Sequence, residues 1–278
     1  MRDEDVPAVH ELAEAAFEDL SRRRGEPVPP PRDPEVAHLR LRHLLATDPD
    51  GCWVADGDPG ALAGVAIALL REGLWGLSLL AVHPGRQSGG LGRALLGRAL
   101  DYGQAAKGGI IAASSDPRAL RAYARAGFEL HPTVFAGGAP HDVEPAPEVR
   151  PFTEADHAMA ASVDRAMRGA PHGADLDALA AGGCERLAFP ERGYAIHHRG
   201  EVKVLAAADD EAAAALLRTV LARTPAGARA EVEFITAAQQ WAIDVVVAAR
   251  LELRSDGAIF LRGETGAFRP YLPGGAYL

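Results

Sequence analysis

Cysteine is scarce in this chain of 278 residues, which holds only Cys52 and Cys184. Two cysteines so far apart support no disulfide framework and fit a reducing compartment. Neither cysteine lies in a C-x-x-C pair or at a histidine spacing typical of a metal site. We therefore expect a cytoplasmic protein that needs no metal.

Long apolar runs are also missing. The longest clean run, Ala61 to Leu70, is far shorter than the roughly 20 residues of a membrane-spanning helix. Met1 is followed by Arg2 and then by acidic residues, so we expect no secretory leader. The formal net charge of −9 argues against nucleic acid or an anionic membrane as the main partner.

The length predicts two domains, and the order of elements repeats along the chain. "RPFTEADHAMAASVDRAM" (150–167) mirrors "MRDEDVPAVHELAEAAF" (1–17), and "VVAARLEL" (246–253) mirrors "YARAGFEL" (123–130). We predict a first domain at 1–138, a proline-containing linker at 139–148 and a second domain at 149–278. The strand-like "EVRPF" has no counterpart before the first helix, so the first domain is expected to lack its opening strand.

A glycine-rich turn, "HPGRQSGGLGRALL" (83–96), follows the apolar strand 75–82 and leads into a helix predicted from Leu91 to about Ala106. Such a turn points several backbone N–H groups at one place, and the helix N-terminus adds partial positive charge. A Walker loop is excluded because Gly92-Arg93-Ala94 stands where Gly-Lys-Ser/Thr is needed, and Leu95 breaks the dinucleotide fingerprint. The phosphate-binding pattern that fits is Gln-x-x-Gly-x-Gly directly after a strand that ends in Val-x-Pro. The alternative is that the glycines only form a tight turn and bind no ligand.

With these motifs the chain resembles the GNAT acetyltransferase superfamily. "LLAVHPGRQSGGLGRALL" is similar to its acyl-CoA loop, and "ALRAYARAGFE" (119–129) to its later Tyr-x-x-x-Gly-Phe segment. The resemblance covers residues 1 to about 136 well and 149–278 in outline. It implies an α/β fold of two tandem GNAT-like domains, each a mixed, mostly antiparallel twisted sheet flanked by helices.

The resemblance also implies acetyl-CoA as co-substrate and a small-molecule or peptide amine as acceptor. The pyrophosphate would bind backbone amides of the turn, and the pantetheine arm would pair with the preceding strand, where a backbone N–H could stabilise the oxyanion. The cofactor-binding residues are then Leu80, Val82, Gln87, Ser88, Gly89, Gly90, Leu91, Gly92 and Arg93.

Tyr123 stands where this family keeps the tyrosine that protonates the leaving thiolate, so it is the predicted catalytic acid. The alternative is an ordinary core aromatic. The general base stays open, because the strand "LWGLSLLAV" has no carboxylate. Water, His38, His43 or a group in the second half are the candidates. The chain is expected to be a monomer or a homodimer.

The second half lacks the glycine turn. Asp209, Asp210 and Glu211 stand at its helix start, where a carboxylate satisfies the terminus and repels a phosphate. Val246 aligns with Tyr123 and has no proton to donate. We therefore expect no CoA site there. The stretch "FRPYLPGGAYL" (268–278) is expected to run extended over a neighbouring surface, hypothetically beside the acceptor site of the first half.

The predicted function is N-acetyl transfer from acetyl-CoA to a primary amine by direct attack in a ternary complex. One alternative is a non-catalytic acyl-CoA-binding regulatory or interaction protein. The other is a pair of scaffold domains that bind no CoA.

Overall fold

A computed structural model describes residues 1–28, 30–58 and 60–278. The helices are α1 (Val6–Arg24), α2 (Pro34–Thr47), α3 (Leu91–Tyr102), α4 (Pro117–Arg125), α5 (His157–Met167), α6 (Ala174–Ala181), α7 (Asp210–Ala222) and α8 (Gln240–Ala248). The strands are β1 (Cys52–Asp56), β2 (Leu62–Arg71), β3 (Leu74–Val82), β4 (Gly108–Ala113), β5 (Glu129–Gly138), β6 (Arg150–Pro151), β7 (Glu185–Phe189), β8 (Gly193–His198), β9 (Glu201–Ala207), β10 (Ala230–Thr236), β11 (Glu252–Gly263) and β12 (Tyr271–Leu272). The predicted α/β class is confirmed.

The chain divides into two compact units. The first comprises residues 1–70 and 75–106, and the second comprises 71–74 and 107–278. This division does not follow the predicted domains at 1–138 and 149–278, which remain a prediction about the repeat. No helix in the described ranges combines the length and hydropathy that crossing a membrane requires.

The first unit arranges its strands in the order β1, β2, β3. Strand β2 is buried from Ala63 to Leu69, as its unbroken apolar sequence predicts. Helix α2 begins as predicted, because the Asp33 carboxylate accepts a hydrogen bond from the Glu35 amide at 2.9 Å. Arg40 joins α2 to β3 by donating Nη2 to the carbonyl oxygen of Ser78 at 2.8 Å and to its Oγ at 2.7 Å.

Helix α3 is one turn shorter than predicted and ends at Tyr102 rather than Ala106. The next residue, Gly103, lies against the buried ring of Trp75, and a Cβ there would come within 2.1 Å of the Trp75 Cδ1 atom. The indole N–H of Trp75 donates to the Ala99 carbonyl at 2.8 Å. Close packing of the indole therefore decides where α3 stops.

The second unit arranges its strands in the order β4, β11, β5, β10, β9, β8, β7, β6, and β12 pairs with β9. Strand β11 pairs antiparallel with both β4 and β5, while β10 pairs antiparallel with β5. Each half of the chain thus pairs its last strand with the preceding strand of the other half. This exchange explains why 107–138 and 149–278 form one compact unit.

The internal repeat is visible in backbone conformation. The hairpin β2–β3 turns at Glu72 and Gly73 with φ of 45° and 85°, and β8–β9 turns at Arg199 and Gly200 with φ of 52° and 95°. Both are two-residue hairpin turns, a type in which the central residues adopt positive φ. The predicted correspondence of Gly127 with Arg250 also holds in conformation, with φ of 84° and 59°.

The segment 139–148 has no helix or strand, and it packs against neighbouring elements of the second unit. The His141 amide donates to the Ala249 carbonyl at 3.1 Å. The Ala146 amide donates to the Thr219 hydroxyl at 3.0 Å, and Ala146 itself is buried. Side chains of Val143 and Val149 pack on the apolar cluster that contains Trp241. This segment is therefore fixed to the second unit.

Candidate functional site

Hydrogen bonds hold the glycine turn of the first unit at the end of β3. The His83 amide donates to the Ala63 carbonyl at 2.9 Å, and the His83 imidazole Nδ1 accepts from the Gly85 amide at 3.2 Å. The Gln87 side-chain amide donates to the Val82 carbonyl at 3.1 Å. The turn therefore keeps a fixed position relative to the strand that precedes it.

Gly90 occupies the N-cap position of α3 with φ of 89°, and this residue has no side chain that could cap the helix. Ser88 also has positive φ, at 68°. The amide of Ala94 donates to the Gly90 carbonyl at 3.1 Å, which closes the first helical turn. The amides at the very start of a helix have no carbonyl partner within it, and they carry the positive end of its dipole.

The surface before these amides is open. A Cβ placed on Gly90 would meet no heavy atom of the described part of the chain within 4 Å, and one placed on Gly89 would have its nearest neighbour, the Arg86 carbonyl oxygen, at 3.9 Å. A Cβ on Gly92 would touch the Val82 side chain at 3.5 Å. Ser88, Gly89, Gly90 and Arg93 are exposed, whereas Gln87, Leu91 and Gly92 are half-buried. The glycines thus leave room for an anion against the helix start.

Three arginines lie on or near this turn. Arg86 pairs with Asp58 at 2.7 Å, and the Arg98 guanidinium lies over the Trp53 ring, 5.3 Å from its centroid. Arg93 is exposed on the first turn of α3. Of the three, Arg93 is therefore the one best placed to add positive charge at the helix start.

The strand residues of the predicted site share one face of β3. Leu80 and Val82 are two residues apart, both half-buried, and alternate with the buried Leu79 and Ala81. The main chain of this strand end leads directly into the turn. A ligand that binds the turn could therefore continue along the last residues of β3.

Tyr123 belongs to the second unit, on α4. Its side chain is 5 % exposed, and its ring meets Phe260 edge to face at a centroid distance of 5.4 Å. Burial raises the pKa of the Tyr123 hydroxyl well above its usual value, and the Asp116 carboxylate raises it further. The phenol is protonated at neutral pH, as an unperturbed tyrosine would be, and the raised pKa makes it a weaker acid. The Asp116 carboxylate caps α4 at the Arg118 amide, 2.8 Å away.

The equivalent helix start in the second half is that of α7, and there a carboxylate of the chain itself caps the helix. The Asp209 carboxylate accepts a hydrogen bond from the Ala212 amide at 3.0 Å. Arg192 donates to both Asp209 oxygens, at 2.9 and 2.5 Å, and to Glu211 at 2.7 Å. The hydrogen bond from Arg192 is the main cause that lowers the pKa of Asp209. The start of α7 therefore carries carboxylates of the chain itself, and an arginine side chain balances their charge.

Arg192 and Arg269, which pairs with Asp210 at 2.6 Å, were not found by sequence reasoning. Each lies far along the chain from the helix start, and no motif marks either residue.

The candidate base His38 lies on α2, with its ring 5.5 Å from that of His10. Among the described residues, its Nε2 is buried without a hydrogen-bond partner. His43 lies on the same helix.

No group of three or more His, Cys, Asp or Glu side chains is placed to hold a metal ion within the ranges that the structure describes. The residues of the turn offer backbone amides and a guanidinium, which suit an anionic ligand rather than a cation.

Residues 7–128 match the acetyltransferase (GNAT) family. Among solved structures, a Pyrococcus horikoshii protein assigned as an acetyltransferase has a TM-score of 0.80 at 16% identity, covering 99% of this chain and 93% of its own. A GCN5-related N-acetyltransferase from Sphaerobacter thermophilus has a TM-score of 0.56 at 16% identity, with 99% and 96% covered. A tandem GNAT protein from the clavulanic acid biosynthesis pathway has a TM-score of 0.57 at 14% identity, with 94% and 95% covered.

A search of curated protein sequences gives no match. At these identities the structural neighbours establish the fold, and the family match covers the first repeat only. The chain has a tandem GNAT fold, and its residues 7–128 match the acetyltransferase (GNAT) family.

Proposed function

We propose that this protein transfers an acetyl group from acetyl-CoA to a primary amine. The observation that carries the proposal is the start of α3, where Gly90 at φ of 89° leaves the helix uncapped and open. The diphosphate of acetyl-CoA would bind the amides from Gln87 to Arg93. Its pantetheine arm would pair with the main chain near Leu80 and Val82.

The proposed reaction is a direct transfer in a ternary complex. The neutral amine attacks the thioester carbonyl carbon and forms the C–N bond of a tetrahedral intermediate. The C–S bond breaks when this intermediate collapses to the amide. A backbone N–H of β3 near Leu80 or Val82 would stabilise the oxyanion of the tetrahedral intermediate. The departing thiolate would take the Tyr123 proton, and the attacking nitrogen would lose its own proton to water or a nearby base.

A non-catalytic acyl-CoA-binding role is the second candidate. It is favoured by one specific feature, the lack of any carboxylate in the β3 sequence "LWGLSLLAV". A protein of this kind would keep the anion site of α3 but would not turn over. The presence of Tyr123 favours the enzyme, because its hydroxyl can donate a proton to the leaving thiolate.

Two measurements separate these functions. Calorimetry with acetyl-CoA tests the site, and we expect one molecule bound per chain. Release of free CoA thiol in the presence of a panel of primary amines, including amino sugars, polyamines and peptides, tests turnover. Binding without thiol release for any amine would favour the regulatory role, and an absence of binding would contradict both candidates.

A further inference from the structure

In the second half of the chain, strands β9 and β10 diverge. They run parallel and, among the described residues, pair at one position, Glu201 opposite Glu231. Farther along β9, the partner strand is β12, in which Tyr271 lies opposite Ala206 and Leu272 opposite Leu205. Strand β12 also contacts β10. A separate piece of the chain therefore fills the gap between the two strands.

This gap corresponds to a specific place in the first half. Strand β9 follows the same hairpin turn as β3 and precedes α7 as β3 precedes α3. Leu205 and Ala206 lie just before the end of β9, as Leu80 and Ala81 lie just before the end of β3. On the proposed function, the pantetheine arm pairs with the main chain of β3 at this level. Strand β12 occupies the equivalent level on β9.

Buried polar side chains bind the main chain of residues 267–278, here named the tail segment. Gln239 is 0% exposed; its Nε2 donates to the Phe268 carbonyl at 2.7 Å and its Oε1 accepts from the Tyr271 amide at 3.2 Å. Arg168 is 1% exposed and donates to the Tyr277 carbonyl at 3.2 Å. Without the tail segment, Gln239 and Arg168 would lose these hydrogen bonds, which costs free energy.

A second network fixes the end of the tail segment. The His172 ring bonds the Asp164 carboxylate through Nδ1 at 2.9 Å and the Leu278 carbonyl through Nε2 at 3.0 Å. The Tyr271 hydroxyl donates to the same carbonyl at 2.6 Å, and the Tyr194 hydroxyl donates to Asp164 at 2.6 Å. All of these side chains are buried, so the network stabilises one position of the tail segment.

The tail segment also packs closely against the side chains and the main chain around it. Phe268, Tyr271, Leu272 and Tyr277 are buried, and Phe268 and Tyr271 belong to the apolar cluster that contains Tyr194. Gly274 lies so close to β9 that a Cβ there would come within 1.9 Å of the Lys203 carbonyl oxygen. At the adjacent Gly275 the nearest atom to such a Cβ, in the Phe234 ring, is 3.8 Å away.

We infer that the tail segment is the resident occupant of the cofactor slot of the second repeat. Its main chain pairs with β9 where an acyl-CoA arm would pair, and Asp209 caps α7 where a phosphate would bind. The second repeat is therefore closed to acyl-CoA by its own chain at both ends of the slot. The comparison with acyl-CoA rests on the function proposed for the first repeat, whereas the placement of the tail segment does not.

The two adjacent glycines give a matched test by hydrogen exchange of the full-length protein. In Gly274→Ala the new methyl group collides with the Lys203 carbonyl, so we expect the tail segment to separate from β9. Amide exchange at residues 205–207 should then become at least tenfold faster, and residues 268–278 should become sensitive to protease. Gly275→Ala should leave both readouts within twofold of the wild type. Unchanged exchange in Gly274→Ala would overturn the inference.

A second arm uses the wild-type protein with and without acetyl-CoA. We expect acetyl-CoA to slow exchange at residues 87–93 and to leave residues 205–209 and 268–278 unchanged. Slower exchange at 205–209 together with faster exchange at 268–278 would mean that the ligand displaces the tail segment, which would also overturn the inference. If acetyl-CoA changes neither region, the proposed function fails, while the glycine pair still decides the placement of the tail segment.

Discussion

The starts of α3 and α7 occupy equivalent places in the two repeats and have opposite chemistry. Helix α3 begins at Gly90 with no side-chain cap, whereas α7 begins at Asp209, whose carboxylate accepts the Ala212 amide. Both helix dipoles favour an anion at this end. In α7 the chain supplies that anion itself, and in α3 it leaves the position open. The same fold element thus has a glycine N-cap or a carboxylate cap according to a few residues.

The largest expected effect concerns Tyr123, whose counterpart Val246 has no proton to donate. Tyr123→Phe should lower kcat by about 100-fold, the usual contribution of a general acid. The affinity for acetyl-CoA should stay within twofold, because the ring and its contact with Phe260 are kept. Steady-state kinetics and calorimetry measure the two quantities. Unaltered kcat would remove Tyr123 from the mechanism.

The second prediction transfers the chemistry of α7 to α3. Gly90→Asp should weaken acetyl-CoA binding, because a carboxylate at the helix start repels the diphosphate and satisfies the amides. Gly90→Asn is the matched control, since asparagine has nearly the same shape and also tolerates positive φ. We expect the aspartate variant to bind at least about 30-fold more weakly than the asparagine variant, roughly 2 kcal/mol. Equal affinities would mean that charge at this position does not govern binding.

The third prediction concerns removal of the Asp209 cap from α7. Asp209→Ala removes the acceptor of the Ala212 amide and should lower the free energy of unfolding by about 1 kcal/mol. Asp209→Asn keeps a capping oxygen and should lower it less. Urea unfolding measures both. The number of acetyl-CoA molecules bound should remain one in each variant, because the tail segment still fills the slot; two molecules bound would contradict this.

The smallest effect is a pH dependence that distinguishes the β8–β9 hairpin from the β2–β3 hairpin. His197 is 0% exposed, and the equivalent residue of β2 is Leu70. Burial is the main cause that lowers the pKa of His197; Arg223 and His198 lower it too, while Glu185 opposes them. The folded state therefore binds the proton less readily than the unfolded state, so stability is complete above about pH 6.5 and falls as the pH drops below it.

The variant His197→Leu copies the first repeat and removes this titration. Urea unfolding at pH 8, 7, 6 and 5 should show a smaller loss of stability toward low pH in the variant than in the wild type. Parallel curves for the two proteins would show that His197 does not contribute to the pH dependence.

Local sequence was enough to predict the parts of the fold that depend on neighbours in the chain. The cap of α2 by Asp33 and of α4 by Asp116, and the strands β1 and β2, follow from residues within a few positions. The glycine turn before α3 was predicted for the same reason, since positive φ at Gly90 is a property of one residue. The end of α3 was not predicted, because it depends on packing against the Trp75 ring, which lies on β3.

What the sequence alone determined is which helix start stays open: glycine at position 90 and carboxylates at 209–211 can be read directly. The tertiary structure decided the rest. It pairs β11 with β4 and β10 with β5, and it brings Arg192 to Asp209 and the tail segment to β9. Strand pairing and ion pairing across many residues depend on which surfaces meet after the chain folds, and backbone hydrogen bonds between strands carry no sequence signal of their own.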